Sequence, residues 1–145
     1  MTVIAWDGKT LAADKQMGMA YPRRVTKIRR LASGELVGVT GNFDQGLVLI
    51  SWYEAGADPS SFPAFQADHE KNSELIIVRT DGVVCSLSNQ PVAMPLENTQ
   101  HAVGSGRDFA AAAMYLGCDA RRAVEITIAL AGDCGVGIDT LELEP

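Results

Sequence analysis

Short apolar runs come in pairs near the start of the chain, and turn residues separate the two runs of a pair. Residues 3–6 and 11–13 are apolar, and Asp7-Gly8 lies between them. This pattern predicts two strands joined by a tight hairpin. Because the two strands have similar lengths, the hairpin is expected to return Asp14 to the side of Thr2.

The same pattern recurs further along the chain. Two more hairpins are predicted, over residues 25–40 with a turn at Ser33-Gly34 and over residues 74–87 with a turn at Asp81-Gly82. Residues 101–103 and 136–143 are predicted as single strands, whereas residues 15–22, which contain Gly and Pro, are predicted as a loop.

Helical spacing of apolar residues predicts three helices. The first follows Asn42 and ends at Gly56, with its apolar stripe at Phe43, Leu47, Ile50 and Tyr53. The second runs from about residue 108 to 116, and the third from 120 to about 131 with a buried stripe at Ala123, Ile126, Thr127 and Leu130. Residues 58–72 are predicted to form a loop with at most a short helix. This order of elements predicts an α+β fold of antiparallel sheets with helices outside them.

Composition narrows the class of protein. With 145 residues, 47% of them hydrophobic and 21% charged, the chain fits one globular domain over residues 1–145. A net charge of -6 argues against a general affinity for nucleic acid or an anionic membrane. No apolar run is long enough to span a bilayer and no signal peptide is recognisable, so we expect a cytoplasmic protein. Three widely spaced cysteines, Cys85, Cys118 and Cys134, are expected to be reduced core residues.

Two residues are candidates for chemistry. Removal of Met1 would leave Thr2 with a free α-amino group beside its hydroxyl, a nucleophile and base in one residue. An α-amine titrates near pH ~7.7–8.0 and can accept the hydroxyl proton at neutral pH. Lys27 shares a predicted strand face with Val25, where a charge either points into a site or extends along the surface to water. The histidines give no such signal, because His69 lies in a polar run and His101 is expected to point outward.

Several short motifs stand in a fixed order along the chain. They are Thr2-Val3-Ile4, Leu11-Ala12-Ala13-Asp14, Val25-Thr26-Lys27-Ile28-Arg29-Arg30-Leu31, Gly38-Val39-Thr40-Gly41, Gly104-Ser105-Gly106 and Ala131-Gly132-Asp133. Together they resemble the proteasome β-subunit family of N-terminal nucleophile (Ntn) hydrolases, and most of all its HslV-like branch. The segment before Leu75 is much shorter than in that branch, which is typical of a shortened bacterial or phage-type member. The resemblance implies a four-layer αββα Ntn-hydrolase sandwich with one helical layer reduced.

The resemblance also implies roles for five residues. Thr2 would be the nucleophile, and Lys27 would lie beside its hydroxyl and lower the pKa of that hydroxyl. Asp14 would keep Lys27 charged and oriented. The backbone N–H of Gly41 would stabilise the oxyanion, and Ser105 would hydrogen-bond the amino group of Thr2.

The implied activity is that of a threonine endopeptidase. It would act on unfolded polypeptide inside a homo-oligomeric ring, with an ATPase unfoldase as a candidate partner and no required cofactor. A sodium ion held by the carbonyls of Gly132, Gly135 and Ile138 is a further implication, although that turn matches the family only loosely. Two alternatives stay open, an Ntn amidohydrolase that cleaves a small amide and an inactive assembly protein that keeps the fold.

Overall fold

The computed structural model of the chain describes residues 2–68, 70 and 72–145. Met1, whose removal the catalytic hypothesis requires, and His69 lie outside the described residues. The strands are β1 (Ile4–Trp6), β2 (Thr10–Asp14), β3 (Gln16–Met17), β4 (Arg23–Arg24), β5 (Ile28–Arg30), β6 (Leu36–Thr40), β7 (Glu74–Val78), β8 (Val84–Leu87), β9 (Met94–Pro95), β10 (His101–Val103) and β11 (Ile138–Glu142). The α-helices are α1 (Phe43–Glu54), α2 (Arg107–Tyr115) and α3 (Ala120–Leu130), and two 3-10 helices span Pro59–Ser61 and Ala64–Ala67.

Two larger sheets and one small ribbon account for these strands. The first sheet has the order β10-β1-β2-β11 and the second the order β5-β6-β7-β8-β9, while β3 pairs only with β4. All neighbouring strands are antiparallel. The fold is therefore α+β with antiparallel sheets and three α-helices, as the order of predicted elements indicated.

Alternation along the strands explains how the sheets pack. In the first sheet, Ile4 and Trp6 belong to an apolar cluster shared with Ile28, Leu36 and Ile76 of the second sheet. The residues between them, such as Val3 and Ala5, face the other way and pack with residues of α2 and α3. The opposite face of the second sheet packs against α1 in a third cluster. Each sheet thus buries both of its faces, with successive side chains pointing to opposite sides.

The three predicted hairpins are confirmed, with differences at their ends. The pair β1 and β2 has Ile4 opposite Ala13. Lys27, predicted inside a strand, lies just before β5, although its carbonyl still accepts the N–H of Val39 at 3.1 Å. The loop predicted over residues 15–22 contains β3, which pairs with β4 through Gln16 and Arg24. These two-residue strands carry no apolar alternation for a sequence pattern to detect.

The helices lie where they were predicted, but their buried faces differ. In α1 the buried residues are Gly46, Leu49, Ile50 and Trp52. Of the predicted stripe, Ile50 is buried and Tyr53 packs half-buried against the same cluster, whereas Phe43 and Leu47 are half-buried and do not belong to it. The absent side chain of Gly46 sets this face, because a Cβ there would lie 1.9 Å from Cγ1 of Val39. In α3, Leu130 was predicted to be buried and is 64% exposed, because the helix buries the face of Ala120, Ala123, Val124 and Thr127.

The stretch between α1 and β7 is short, as predicted. In its described part, residues 55–68, 70 and 72–73, it holds the two 3-10 helices and no α-helix. The second half of the chain instead supplies two helices, and α2 and α3 pack on each other and on the first sheet. In the described part of the chain, no helix has the length and apolarity that crossing a bilayer requires.

Candidate active site

Three buried polar residues meet where the two large sheets face each other. Thr2 precedes β1, Asp14 ends β2, and Lys27 precedes β5, so the first two come from one sheet and the third from the other. Their exposed fractions are 8% for Thr2, 0% for Asp14 and 4% for Lys27. Buried charges are costly unless they are paired and hydrogen-bonded, so this cluster needs a specific explanation.

The Lys27 ammonium links the other two side chains. Its Nζ donates to Thr2 Oγ1 at 3.2 Å and to Asp14 Oδ1 at 2.8 Å, and both bonds are buried. A hydroxyl that accepts a hydrogen bond from an ammonium is poised to lose its own proton, because the nearby positive charge stabilises the alkoxide. The hairpin prediction that Asp14 returns beside Thr2 is correct, and the lysine that sequence patterns marked as unusual reaches both residues.

Asp14 is held by the backbone as well as by Lys27. Its Oδ1 accepts the N–H of Val3 at 3.1 Å, and its Oδ2 accepts the N–H groups of Gln16 at 3.2 Å and Gly135 at 3.1 Å. With the bond from Lys27, each carboxylate oxygen has two donors. A fully buried carboxylate with four donors has little freedom to turn, so it fixes the direction of the Lys27 ammonium.

The turn after β10 holds the backbone of Thr2. The N–H of Thr2 donates to Ser105 Oγ at 3.1 Å, and the N–H of Gly106 donates to the carbonyl of Thr2 at 3.0 Å. Gly104 has φ +94°, and a Cβ there would lie 2.2 Å from that same carbonyl oxygen. Only glycine allows this approach at position 104. Glycine is needed at position 106 for another reason, since a Cβ there would lie 2.5 Å from Cγ2 of Thr127.

Gly41 lines a cavity that opens on Thr2. The cavity has a volume of about 190 Å³, and Thr2, Thr40, Gly41, Gly104 and Ser105 line it. Gly41 has φ +89°, and a Cβ there would lie 2.9 Å from the carbonyl of Asn72. The five residues that the resemblance singled out are therefore close together: four are linked directly or through one shared partner by hydrogen bonds, and Gly41 shares the cavity.

Sequence reasoning missed the residue that supports the loop carrying Gly41. Gln66 is fully buried, and its side-chain amide donates to the carbonyls of Ser73 at 2.8 Å and Ser88 at 2.7 Å. Its Oε1 accepts the N–H of Ser73 at 3.0 Å, and the Ser73 hydroxyl donates to the carbonyl of Asn42 at 2.6 Å. This chain of bonds runs from the second 3-10 helix to the residue after Gly41. No pattern in the polar stretch around Gln66 could have indicated it.

His101 was also misplaced. It was expected to point outward, but it is half-buried and lines a second, larger cavity beside Gly41 and Gly104. Burial lowers the pKa of His101 below its usual 6.5, and the carboxylate of Glu74 opposes that shift. The prediction failed because strand β10 lies between two packed surfaces, which three residues of sequence cannot reveal.

The turn whose carbonyls were suggested as sodium ligands lies next to Asp14. The carbonyl of Gly135 already accepts the N–H of Lys15 at 3.0 Å, and a carbonyl oxygen has a second lone pair for a cation. Backbone carbonyls of Gly132, Gly135 and Ile138 suit a hard cation in donor type. A bound sodium ion would hold this turn against β2, and it stays a prediction. Among the described residues, no group of His, Cys, Asp and Glu could hold a metal ion.

The cysteines fit the interpretation of reduced core residues, since all three are free and Cys85 and Cys134 are buried. Cys134 lies near the site. Burial raises the pKa of its thiol to about 12, and the carboxylates of Asp14 and Asp133 act in the same direction. The thiol is therefore protonated at neutral pH and is a poor nucleophile.

The fold can be compared with those of known proteins. No protein-family model matches the chain, and no curated protein matches its sequence. Solved structures do match over the full length. Thiobacillus denitrificans BPH is 17% identical with a TM-score of 0.68, and the same protein in complex with epoxomicin is 19% identical with a TM-score of 0.70, each with 100% of both chains covered.

A third structure carries the name that the motifs suggested. Eukaryotic HslV from Trypanosoma brucei is 19% identical to the chain, with a TM-score of 0.72 and 99% of both chains covered. The resemblance to the HslV and proteasome β-type proteins is thereby confirmed at the level of the fold. At these identities the likeness concerns the fold, and the chemistry has to be argued from the residues of this chain.

Proposed function

We propose that the chain is an N-terminal threonine peptidase that hydrolyses peptide bonds once Met1 has been removed. One observation carries the proposal: Lys27 Nζ donates to Thr2 Oγ1 at 3.2 Å from a buried ion pair with Asp14. A structural role alone does not require a buried ammonium aimed at a hydroxyl. The likeness of the fold to HslV supports the same conclusion.

The reaction follows from the groups around Thr2. The α-amine of the mature chain takes the hydroxyl proton, and Thr2 Oγ1 bonds to the carbonyl carbon of the substrate. Lys27 stabilises the developing negative charge on Oγ1. The amine then passes the proton to the leaving nitrogen as the C–N bond breaks, and a water molecule hydrolyses the ester that remains on Thr2.

Two neighbouring residues support this reaction. The N–H of Gly41 would donate to the oxyanion of the tetrahedral intermediate, a contribution typically of about 3–4 kcal/mol. Ser105 already contacts the nitrogen of Thr2 at 3.1 Å, and it would orient the free amine after maturation. In this assignment, Asp14 is a positioning residue that acts through Lys27.

The proposal extends to architecture and assembly. The three stacked apolar clusters support a four-layer αββα sandwich whose α1 layer is the reduced one. An unspecific peptidase site needs enclosure, so we expect a closed homo-oligomeric ring in the cytoplasm. Tyr115 and Leu116, both exposed at the end of α2, offer apolar surface for contacts between copies. Unfolded polypeptide and an ATPase unfoldase are the partners that the resemblance implies.

The test of the nucleophile uses the mature chain, with loss of Met1 verified by intact mass. The wild type is expected to cleave unfolded casein and a fluorogenic peptide, and Thr2→Ala is expected to abolish both activities. Thr99→Ala, at an exposed position, is the matched control and should keep the wild-type rate. Epoxomicin should raise the melting temperature of the wild type and not that of Thr2→Ala.

Each other outcome has a defined meaning. Turnover that survives in Thr2→Ala would show that another residue is the nucleophile. Cleavage of a small amide without cleavage of peptides would favour the amidohydrolase alternative. A mature chain that cleaves no substrate and whose melting temperature does not change with epoxomicin would favour the inactive assembly protein. Light scattering at micromolar concentration tests the ring, because a mass near the 15.4 kDa of one chain would contradict it.

A further inference from the structure

The space between the two large sheets is lined by apolar side chains, but at the end nearest Thr2 it is lined by polar ones. Side chains alternate along a strand, so Glu74 points to the same side as Ile76 and Val78, which lie in the apolar cluster between the sheets. His101 in the same way shares a side with Val103 of that cluster. An acid and an imidazole, both half-buried, therefore take positions that elsewhere between the sheets are apolar.

These two side chains line a cavity that continues to the nucleophile. The cavity has a volume of about 450 Å³, and its wall also includes Ser88 and Arg107. It shares Thr40, Gly41 and Gly104 with the smaller cavity that opens on Thr2. A substrate residue in the larger cavity would therefore be next to the residue whose carbonyl faces Gly41.

The carboxylate of Glu74 has no cationic partner in the described part of the chain. It accepts a long hydrogen bond from Ser86 at 3.4 Å, and among the described residues no lysine, arginine or histidine lies within 4.0 Å of it. The pKa of His101 is lowered by burial, so its imidazole is neutral at pH 7 and does not balance the charge. A half-buried carboxylate without a counter-ion is unfavourable by itself.

Arg107 is the cationic residue in the wall of the cavity, and its contacts lie elsewhere. Its side chain is exposed, and Nη1 donates to the carbonyl of Gly104 at 3.1 Å at the rim of the cavity. Its other ionic contact is with Asp108 at 4.0 Å. Glu74 and Arg107 thus both line the cavity without pairing, and the Arg107 side chain is 61% exposed to solvent.

We propose that this cavity is a substrate subsite for a basic side chain beside the scissile bond, with Glu74 as its counter-ion. The proposal rests on the peptidase function proposed above and adds a preference to it. The neutral imidazole of His101 and the Ser88 hydroxyl supply further acceptors for an ammonium group. A lysine of the substrate would complete the ion pair that Glu74 lacks, and the shared wall at Gly41 would keep that lysine adjacent to the reacting carbonyl.

The test compares matched peptides that differ at one position. Fluorogenic peptides carry lysine or norleucine at the residue on either side of the scissile bond, because norleucine keeps the apolar chain and lacks the charge. At one of the two positions, kcat/KM of the mature wild type should be about 10- to 100-fold higher for lysine. Glu74→Gln should bring that ratio close to one. Glu97→Gln, which removes the same charge at an exposed site, should keep the wild-type ratio.

A second measurement does not depend on turnover. Thr2→Ala is titrated with Nα-acetyl-lysine methylamide, and nuclear magnetic resonance should report a shift of the His101 ring signals that Nα-acetyl-norleucine methylamide does not cause. An active enzyme with equal rates on both peptides, or a lysine preference that survives in Glu74→Gln, would overturn the subsite. If the mature chain cleaves no peptide at all, the peptidase proposal fails, and the titration still decides the subsite: no lysine-specific shift overturns it.

Discussion

The end of β2 carries two acid–lysine pairs that are neighbours in sequence and lie in opposite environments. Asp14 pairs with Lys27, and their side chains are 0% and 3% exposed. Lys15 pairs with Asp139 of β11, and these side chains are 13% and 32% exposed. The chemistry of the two pairs is the same, so their difference isolates the effect of burial and of the surrounding donors.

The buried pair belongs to a larger hydrogen-bond network, whereas the outer pair makes few further contacts. Asp14 accepts hydrogen bonds from three backbone N–H groups besides the one from Lys27, and the Lys27 ammonium also donates to the hydroxyl of Thr2. The Lys15 ammonium donates to the Thr26 hydroxyl at 3.1 Å and to Asp139 of β11. An ion pair therefore orients a reactive group only when the two charged side chains cannot turn toward water.

The largest effect is expected from Asp14→Ala. The change removes the carboxylate from the buried Lys27 ammonium and the acceptor from three N–H groups, so the free energy of unfolding should fall by about 3–5 kcal/mol. Asp139→Ala is the matched variant of the outer pair, and it should cost about 0–1 kcal/mol. Urea titration of both variants measures the difference. Equal losses would mean that burial does not distinguish the pairs.

The next effect concerns activity. Lys27→Met should lower kcat/KM by about 10²- to 10⁴-fold, the range for loss of a group that assists proton transfer. Lys27→Arg should rescue little, because a planar guanidinium spreads its charge over a larger group and cannot place it as an ammonium does between Thr2 and Asp14. Peptide hydrolysis by the two variants and by Lys15→Met provides the measurement, with Lys15→Met expected near the wild-type rate. Full activity in Lys27→Arg would show that Lys27 has no specific role in the reaction.

A smaller effect separates the pairs by salt. Exposed charges are screened at 1 M ionic strength, where the Debye length is about 3 Å, and buried ones are screened much less. The loss of stability caused by Asp139→Asn should therefore be smaller at 1 M NaCl than at 0.05 M NaCl. The loss caused by Asp14→Asn should be about the same at both salt concentrations. Urea midpoints at the two salt concentrations give the comparison. A loss for Asp14→Asn that disappears in salt would contradict its burial.

The smallest effect concerns His101, which is half-buried like the outer pair. Its pKa is lowered in the folded chain, so folding disfavours the protonated ring. Its contribution to stability is present above the unfolded pKa of about 6.5 and is lost as the pH falls through the lower, folded pKa. The wild type should therefore lose slightly more stability than His101→Gln between pH 7 and pH 5, by less than about 1 kcal/mol. Parallel unfolding curves across that range would contradict the assignment.

Much of the site could be predicted because it depends on local pattern. The Asp7-Gly8 turn fixes the register of β1 and β2, and that register alone brings Asp14 to Thr2. Lys27 was recognised as unusual because a charge broke an apolar pattern. The glycine turns indicated places of close backbone approach, and Gly104 indeed contacts Thr2.

The remainder depends on contacts between distant segments. Gln66, Ser73 and Ser88 come from a 3-10 helix, a loop and the end of a strand, and nothing in their sequence context couples them. Glu74 and His101 belong to different sheets, so their shared cavity exists only after the sheets have packed. The buried face of α1 was misjudged for a similar reason, since Gly46 matters through Val39 of the neighbouring sheet.

The bond between Gln66 and Ser73 also bears on how the chain could change in length. Because the side-chain amide of Gln66 is bonded to the backbone of Ser73, residues inserted between these two positions would lengthen a segment whose ends are already joined. Each doubling of such a loop costs only about 0.6 kcal/mol in closure entropy. Relatives with a longer segment, or engineered insertions of a helix or tag, can thus be accommodated at this point while Asn42 and Gly41 keep their places.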